Sequence, residues 1–259
     1  MSTSSIPLQA YLVVDNCVLV MLHEYLCECQ ATRLGAARLI PALTQWMADQ
    51  LGILKQFTPD GLVHCTKCVA DEFNPGAGRL SQVRGIGRPE CRALTNRVCS
   101  NLHQTSVDTH ESAFLRGLPA APRKLVGPGG LSDNDLSLAV LGLHLTEHNG
   151  PVYVLTNDQD LLSFITWLRP KPEVRQRWGN ARLLQGLQSL TYLELIHRDC
   201  RIRTDQMEGL INFYMIEHYN RKDLAGTVKG NSIFLQLINV RNSLTESVRI
   251  KLATGGALA

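Results

Sequence analysis

The sequence feature that most constrains the fold is the stretch VYVLTNDQD at residues 152–160. Its first four residues, Val152–Leu155, are apolar and mostly β-branched or aromatic, which is typical of a strand buried on both faces of a parallel sheet. Asp158 follows almost at once, and the apolar run at residues 161–167 predicts a helix. An acid between a strand and a helix lies at the carboxyl edge of the sheet, where open α/β folds bind ligands. The alternative is that Asp158 or Asp160 only caps the next helix.

Three other stretches have the same design. Tyr11–Val14 predicts a second buried strand, which ends directly at Asp15. Residues 62–69 predict a weak strand or the start of a helix, and they lead to Glu72. The motif LSDND opens a clear helix at Asp135. This alternation of strands and helices predicts an α/β fold with a doubly wound, mainly parallel sheet.

The rest of the chain gives weaker signals. Residues 35–54 predict a long amphipathic helix. Residues 74–89, rich in glycine and arginine, predict a mobile loop that leads into a helix around residues 90–104. Residues 117–130, rich in proline and glycine, predict a connector, and residues 190–196 predict a closing strand.

Composition narrows the class of protein. A chain of 259 residues, 44% hydrophobic and 19% charged, fits one large soluble domain or one domain with an appendage. Eight cysteines in this length favour reduced thiols over a disulfide scaffold. The N-terminus lacks the basic start of a signal peptide, and no apolar run reaches the roughly 18 residues of a membrane span. We therefore expect a cytoplasmic protein with no membrane partner.

Positive charge is concentrated in one segment. The net charge of the chain, +3, does not by itself indicate nucleic acid. Between Pro75 and Gly130, however, eight basic residues accompany three acidic ones, a local net charge of +5. Arginine beside glycine suits contact with phosphate, and a solvated surface is the equal alternative. The candidate RNA-binding residues are Arg79, Arg84 and Arg88.

Four acids follow or open elements that meet at one edge of the predicted sheet. They are Asp15, Glu72, Asp135 and Asp158. Carboxylates that converge repel one another unless a cation lies between them or protons bind. Hard oxygen ligands without clustered histidine favour Mg²⁺ or Mn²⁺ over zinc. Such a site commonly acts on phosphate esters, because the metal activates water and neutralises charge on phosphoryl oxygens.

These motifs resemble, in order, the motif series of the PIN-domain family. The matching segments are VVDNCVLV, VADEF, LSDNDLSLAVLGL and VYVLTNDQDLL, and the resemblance covers residues 11–196. It implies a three-layer α/β/α fold over residues 1–203, with residues 204–259 as a C-terminal extension. It also implies a Mg²⁺- or Mn²⁺-dependent ribonuclease, with Asp15, Glu72, Asp135 and Asp158 as catalytic and metal-binding residues.

Within two of the motifs a second acid competes for the role. Asp133 and Asp135 are two residues apart, about 200° around a helix, so both cannot face one metal. Asp135 matches the spacing of the family, although Ser132 three residues before it also predicts a capping box. At the last motif Asp158 matches, and Asp160 is interpreted as an acid of the first helical turn.

Two polar residues are expected to support the site, and one position departs from the family. Thr156 is expected to orient Asp158 through its hydroxyl, with a simple turn role as the equal alternative, and Asn16 stands beside Asp15. The position two residues after the first acid is commonly small and polar in the family, and here it is Cys17. A phosphotransferase with Asp15 as nucleophile would need an acid at that position, which disfavours this chemistry.

The sequence leaves a zinc site open as a minor alternative. The motif HCTKC, with His64, Cys65 and Cys68, has no second CxxC to complete four ligands. Cys91 and Cys99 would have to supply the rest.

The tail offers an apolar stripe. Asp205 and Glu208 predict a capped helix. We expect its apolar face to pack on the domain or on a second copy, with a homodimer favoured. The alternative function is a catalytically degraded PIN-like module that binds RNA or protein. A toxin with an antitoxin-type protein partner is a biological variant of the ribonuclease. The stripe consists of Met207, Leu210, Ile211, Tyr214 and Met215.

Overall fold

The computed structural model describes residues 10–30, 34–119, 121–127, 130–147, 150–169, 171–178, 186–192, 195, 210 and 213. The chain divides into two compact units, one of Pro7–Leu190 and the other of Met1–Ile6 with Thr191–Ala259. The predicted boundary between residues 203 and 204 lies outside the described residues, as does the predicted tail stripe apart from the buried Leu210. In the described part, no helix has both the length and the apolar character of a membrane span.

The first unit is built on a sheet of five parallel strands. In chain order they are β1 (Tyr11–Val14), β2 (Val63–Thr66), β3 (His103–Thr105), β4 (Val152–Leu155) and β5 (Leu187–Leu190). Their spatial order is β3-β2-β1-β4-β5, and every neighbouring pair is parallel. The sheet confirms the predicted α/β class.

Helices flank the sheet in two packed groups, which gives the predicted three-layer α/β/α arrangement. The described helices are α1 (Asn16–Gln30), α2 (Ala36–Lys55), α3 (Lys67–Glu72), α4 (Arg88–Cys99), α5 (Thr109–Arg116), α6 (Arg123–Val126), α7 (Asp133–Thr146), α8 (Gln159–Leu168) and α9 (Pro172–Trp178). One group contains α1, α2 and α4, and the other contains α5, α7 and α8.

The core lies between the central strands and α7. All four residues of β4 are buried, as the continuous apolar run predicted. Helix α7 is buried over nearly its whole length and packs against β1, β2, β4 and β5. Gly142 permits this close approach, because a Cβ there would come 2.9 Å from Cδ1 of Leu187 and 3.2 Å from Cγ2 of Val154. The core therefore fixes the start of α7 against the carboxyl ends of the strands.

Several predicted boundaries were wrong. The helix predicted to reach residue 104 ends at Cys99, and the edge strand β3 follows it. The sequence HQT of β3 is polar and lacks an apolar alternation, so it gives no strand signal. The closing strand is Leu187–Leu190 rather than residues 190–196. The segment predicted as a loop contains two 3₁₀ turns, Pro75–Ala77 and Arg79–Gln82, and the predicted connector contains α6.

Candidate active site

Two acids follow the neighbouring strands β1 and β4, between which the strand order of the sheet reverses. From β1 the chain proceeds to β2 on one side, and from β4 it proceeds to β5 on the other. β1 and β4 are direct neighbours, with Val14 opposite Leu155. Asp15 extends this pairing, since its backbone N–H donates to the carbonyl of Leu155 at 3.0 Å. Asp15 and Asp158 therefore follow adjacent strands at the switch point, which is the usual ligand position of such sheets.

The Asp15 carboxylate is buried and held by two side chains. Asp15 is only 5% exposed. Its Oδ2 accepts hydrogen bonds from Oγ1 of Thr156 at 2.6 Å and from Sγ of Cys17 at 2.8 Å. The same Thr156 hydroxyl accepts a bond from the backbone N–H of Asp158 at 3.0 Å. Thr156 therefore connects both acids, whereas the sequence predicted a role for it at Asp158 alone.

Cys17 takes a polar role at the position where the chain departs from the family pattern. Besides donating to Asp15, its sulfur accepts the backbone N–H of Asn157 at 3.0 Å. Burial, and then the charge of Asp15, raise the pKa of the Cys17 thiol well above its ordinary value. The thiol therefore stays protonated and can donate to the carboxylate. Asn16, the other predicted supporter of Asp15, has its side-chain Oδ1 buried and without a hydrogen-bond partner in the described part.

Asp158 combines the two roles that the sequence left open. Its Oδ1 accepts the backbone N–H groups of Asp160 at 2.6 Å and Leu161 at 3.3 Å, so it is the N-cap of α8. This cap fixes the carboxylate at the carboxyl edge of the sheet. Asp160 lies in the first turn of α8, as predicted.

Asp135 also has both a capping and an edge position. Its Oδ2 accepts the backbone N–H and the hydroxyl of Ser132, each at 2.8 Å, which forms the predicted capping box. Asp133 instead binds the Arg116 guanidinium at 2.8 Å. The two competing acids of the motif thus have different partners.

The three aspartates influence one another electrostatically. Burial raises the pKa of Asp15; hydrogen bonds from Cys17 and Thr156 lower it in part, and the charges of Asp135 and Asp158 raise it further. Burial likewise raises the pKa of Asp158, with backbone hydrogen bonds acting against it and the charges of Asp135 and Asp160 adding to it. Burial and like charge both favour the neutral form of a carboxyl. We call Asp15, Asp135 and Asp158 the acidic edge.

Glu72 is not among the charged groups that shift the pKa of Asp15 or Asp158. Its side chain is exposed at the end of α3, and its Oε1 accepts a hydrogen bond from the side-chain amide of Asn134. Asn134 directly precedes Asp135 in α7. The fourth predicted ligand is therefore linked to the acidic edge through one amide side chain.

The ligand atoms of the acidic edge suit a hard cation, but the present side-chain positions do not form a metal site. One oxygen of each aspartate accepts the orienting bonds described above, and the other accepts none from the described residues. Carboxylate oxygens are the ligands that Mg²⁺ and Mn²⁺ prefer. In their present positions, however, no three His, Cys, Asp or Glu side chains of the described part form a group that could hold a metal ion. The same finding covers the motif with His64 and Cys68.

The three predicted RNA-binding arginines have unlike surroundings. Glu24 of α1 accepts the backbone N–H of Arg79 at 3.0 and 3.2 Å with its two oxygens, and its carboxylate is 3.3 Å from Nε of Arg79. A Cβ at Gly78 would lie 1.8 Å from Oε1 of Glu24, so any larger residue there would displace the Glu24 carboxylate. Arg79 is therefore held by α1, whereas Arg84 and Arg88 are exposed.

Two cavities flank the end of α3. One, of about 700 Å³, is lined by residues of α3, α5 and α7, among them Lys67, Asp133 and Asn134. The other, of about 1040 Å³, lies between the first 3₁₀ turns and α4. Asp71 lines both cavities, so they are adjacent at the carboxyl side of the sheet.

The sequence analysis missed two contributors to the site. Asn134 and the backbone of Asn157 contact site residues, but no motif marks an amide that acts across elements. No protein-family model, curated protein or solved structure matches this chain. The resemblance to the PIN-domain family therefore depends on the quoted motifs alone.

Proposed function

We propose that the chain is a metal-dependent endoribonuclease that hydrolyses phosphodiester bonds of single-stranded RNA. The observation that supports this most is the convergence of Asp15, Asp135 and Asp158 at the switch point of the sheet, where burial, and to a smaller extent the charges of neighbouring aspartates, raise the pKa of Asp15 and Asp158. A repulsive carboxylate group at a ligand edge gains stability from a divalent cation. The order of the four motifs is the second support.

The acidic edge would hold one or two Mg²⁺ or Mn²⁺ ions, with Glu72 as an additional ligand. When bound, the ion would lower the pKa of a water molecule and neutralise charge on the scissile phosphate. The expected products carry a 5′-phosphate and a 3′-hydroxyl, as the family resemblance implies.

The protein's own residues supply orientation. Thr156 and Cys17 hold one oxygen of Asp15, and the capping bonds of α8 hold one oxygen of Asp158. Each carboxylate can therefore present its second oxygen without a large loss of side-chain entropy on ligand binding. Such fixed second-sphere contacts are worth roughly 10- to 100-fold in metal affinity or activity.

Cleavage of a labelled single-stranded RNA tests the proposal. We expect activity that rises with added Mn²⁺ and disappears in EDTA. Asp158→Asn keeps the shape of the side chain but removes its charge, and should lower the rate on the order of 10³-fold, since metal catalysis contributes several kcal/mol. Asp160→Asn is the matched control, because Asp160 is in the same turn but only its backbone binds Asp158.

Two outcomes would contradict the proposal that the chain is a nuclease. One is activity that persists in EDTA or survives Asp158→Asn. The other is RNA binding without any cleavage in Mn²⁺, which would support the alternative of a binding module on the same scaffold. Loss of activity in Asp133→Asn but not in Asp135→Asn would move the third ligand two residues back.

A further inference from the structure

A row of polar side chains follows one face of α4. Arg88, Arg92 and Asn96 are spaced by four residues, so they lie on the same face at intervals of about 6 Å. All three are exposed, and all three line the cavity of about 1040 Å³. We call this cavity the α4 groove. An extended polyanion has charges at comparable regular intervals.

The opposite wall and the floor of the groove are fixed by hydrogen bonds. Asn74 on the opposite wall accepts the backbone N–H of Gly76 at 3.1 Å. On the floor, Oγ1 of Thr95 donates to the carbonyls of Cys91 at 3.1 Å and Phe73 at 3.4 Å. The bond from Thr95 to Phe73 joins α4 to the chain that leaves α3. The groove is therefore part of the folded structure and not a gap between loose segments.

The positive charge in the groove is not neutralised by the residues that the structure describes. The side chains of Arg88 and Arg92 make no hydrogen bond or ion pair with any of them. Asp71 is the single acid among the described residues that line the groove. Arg79, by contrast, has its charge compensated by Glu24 and does not line the groove. Of the three arginines that the sequence emphasised, only Arg88 lines the groove, and Arg92 joins it there.

The groove adjoins residues at the end of α3 that are linked to the acidic edge. Asp71 lines both the groove and the cavity of about 700 Å³, and Glu72 beside it binds Asn134. Asn134 in turn precedes Asp135. A strand in the groove can thus pass along the end of α3 to the carboxylates. An acidic peptide fits the groove less well, because its charges are less regularly spaced. Its path along the groove would also end at three carboxylates, which offer it no favourable contact.

We infer that the α4 groove binds the phosphates of the single-stranded RNA that enters the acidic edge, with Arg88 and Arg92 as direct phosphate contacts and Asn96 as a polar contact. This inference rests on the proposed function, because it takes its polyanion from the nuclease reaction. It assigns binding to Arg92 and Asn96 and removes Arg79 from that role.

Binding of a short fluorescent oligouridine in EDTA tests the groove without cleavage. The measurement is fluorescence anisotropy of the full chain at several KCl concentrations. Each phosphate contact of a single strand contributes about 0.7 to the slope of log K against log salt. Arg88→Ala and Arg92→Ala should each make the slope less steep by about that amount, and the double variant by about twice as much.

Arg97→Ala is the matched control. Arg97 is an exposed arginine of the same helix, but it lines a separate cavity of about 340 Å³. Its removal changes the net charge equally and should leave the slope unchanged. Arg79→Ala should also leave the slope unchanged.

Three results would overturn the inference. They are no binding of the oligouridine, an equal loss of slope in Arg97→Ala, and equally tight, arginine-dependent binding of polyglutamate. Failure of the nuclease proposal is separate, since it would appear as cleavage that survives Asp158→Asn, whereas the salt slopes are measured without metal.

Discussion

The carboxylates of the acidic edge and the arginines of the α4 groove are held in opposite ways. Asp15 is buried and bonded by Thr156 and Cys17, so its charge is costly and its direction is fixed. Arg88 and Arg92 are exposed and make no ion pair in the described part, so their charges are solvated and their side chains can adapt. Fixed carboxylates suit catalysis, which requires precise positions, and adaptable cations suit a substrate that is read by charge alone.

The comparison predicts its largest effect at Thr156, the residue that fixes two acids at once. Thr156→Val keeps the shape of the buried side chain but removes the hydroxyl that binds Asp15 and Asp158. We expect RNA cleavage to fall roughly 10- to 100-fold, the usual cost of losing a second-sphere contact. Steady-state cleavage rates measure this. Thr156→Ser retains the hydroxyl and should keep most activity; an equal loss in both variants would show that the hydroxyl does not orient the acids.

A second prediction concerns the contact that fixes the arginine segment to α1. Gly78→Ala places a Cβ 1.8 Å from Oε1 of Glu24, so that carboxylate must move and its bonds to Arg79 weaken. We expect a loss of roughly 1–3 kcal/mol in the free energy of unfolding, measured in urea. Gly52→Ala is the control, since a Cβ there meets no atom within 4 Å and alanine favours its helix. Stability unchanged by Gly78→Ala would show that Glu24 does not anchor the segment.

The third prediction concerns the cost of burying charge at the acidic edge. Because the pKa of Asp15 is raised in the folded state, its ionisation opposes folding. The contribution of Asp15 to stability is therefore fully present below the ordinary pKa of 3.8 and is lost as pH rises through the raised pKa. In EDTA, Asp15→Asn should stabilise the protein at neutral pH by on the order of 1 kcal/mol.

Thermal unfolding at several pH values checks this third prediction. The advantage of Asp15→Asn should vanish below pH 3.8, the ordinary pKa of the carboxyl, where Asp15 is protonated in both states. Asp133→Asn is the control, since Asp133 is exposed. A stabilisation that is independent of pH would contradict the electrostatic cause.

The smallest predicted effect separates two arginines of one segment. Arg79→Ala removes an ion pair with Glu24 that is partly buried, whereas Arg84 is exposed without an ion pair in the described part. We expect Arg79→Ala to cost about 0.5–1 kcal/mol of unfolding free energy and Arg84→Ala to remain within about 0.5 kcal/mol. Urea unfolding at low and high salt measures both. Equal costs would mean that the contact with Glu24 contributes no stability.

The sequence by itself determined the fold class and the positions of the strand-end acids. Continuous apolar runs at Tyr11–Val14 and Val152–Leu155 predict buried parallel strands, because only residues covered on both faces tolerate such composition. Asp15 and Asp158 must then follow those strands at one edge. The polar strand β3 left no such signal, because an exposed edge strand needs no apolar pattern.

Only the tertiary structure decided which charged groups act together. Spacing along the chain could not show that Thr156 binds both acids, that Cys17 donates to Asp15, or that Glu24 neutralises Arg79. Thr156 and Asp15, like Glu24 and Arg79, are far apart in sequence, and their contact depends on strand order and helix packing. Local pattern is set by the period of each element, whereas the environment of a charge is set by what the whole fold places around it.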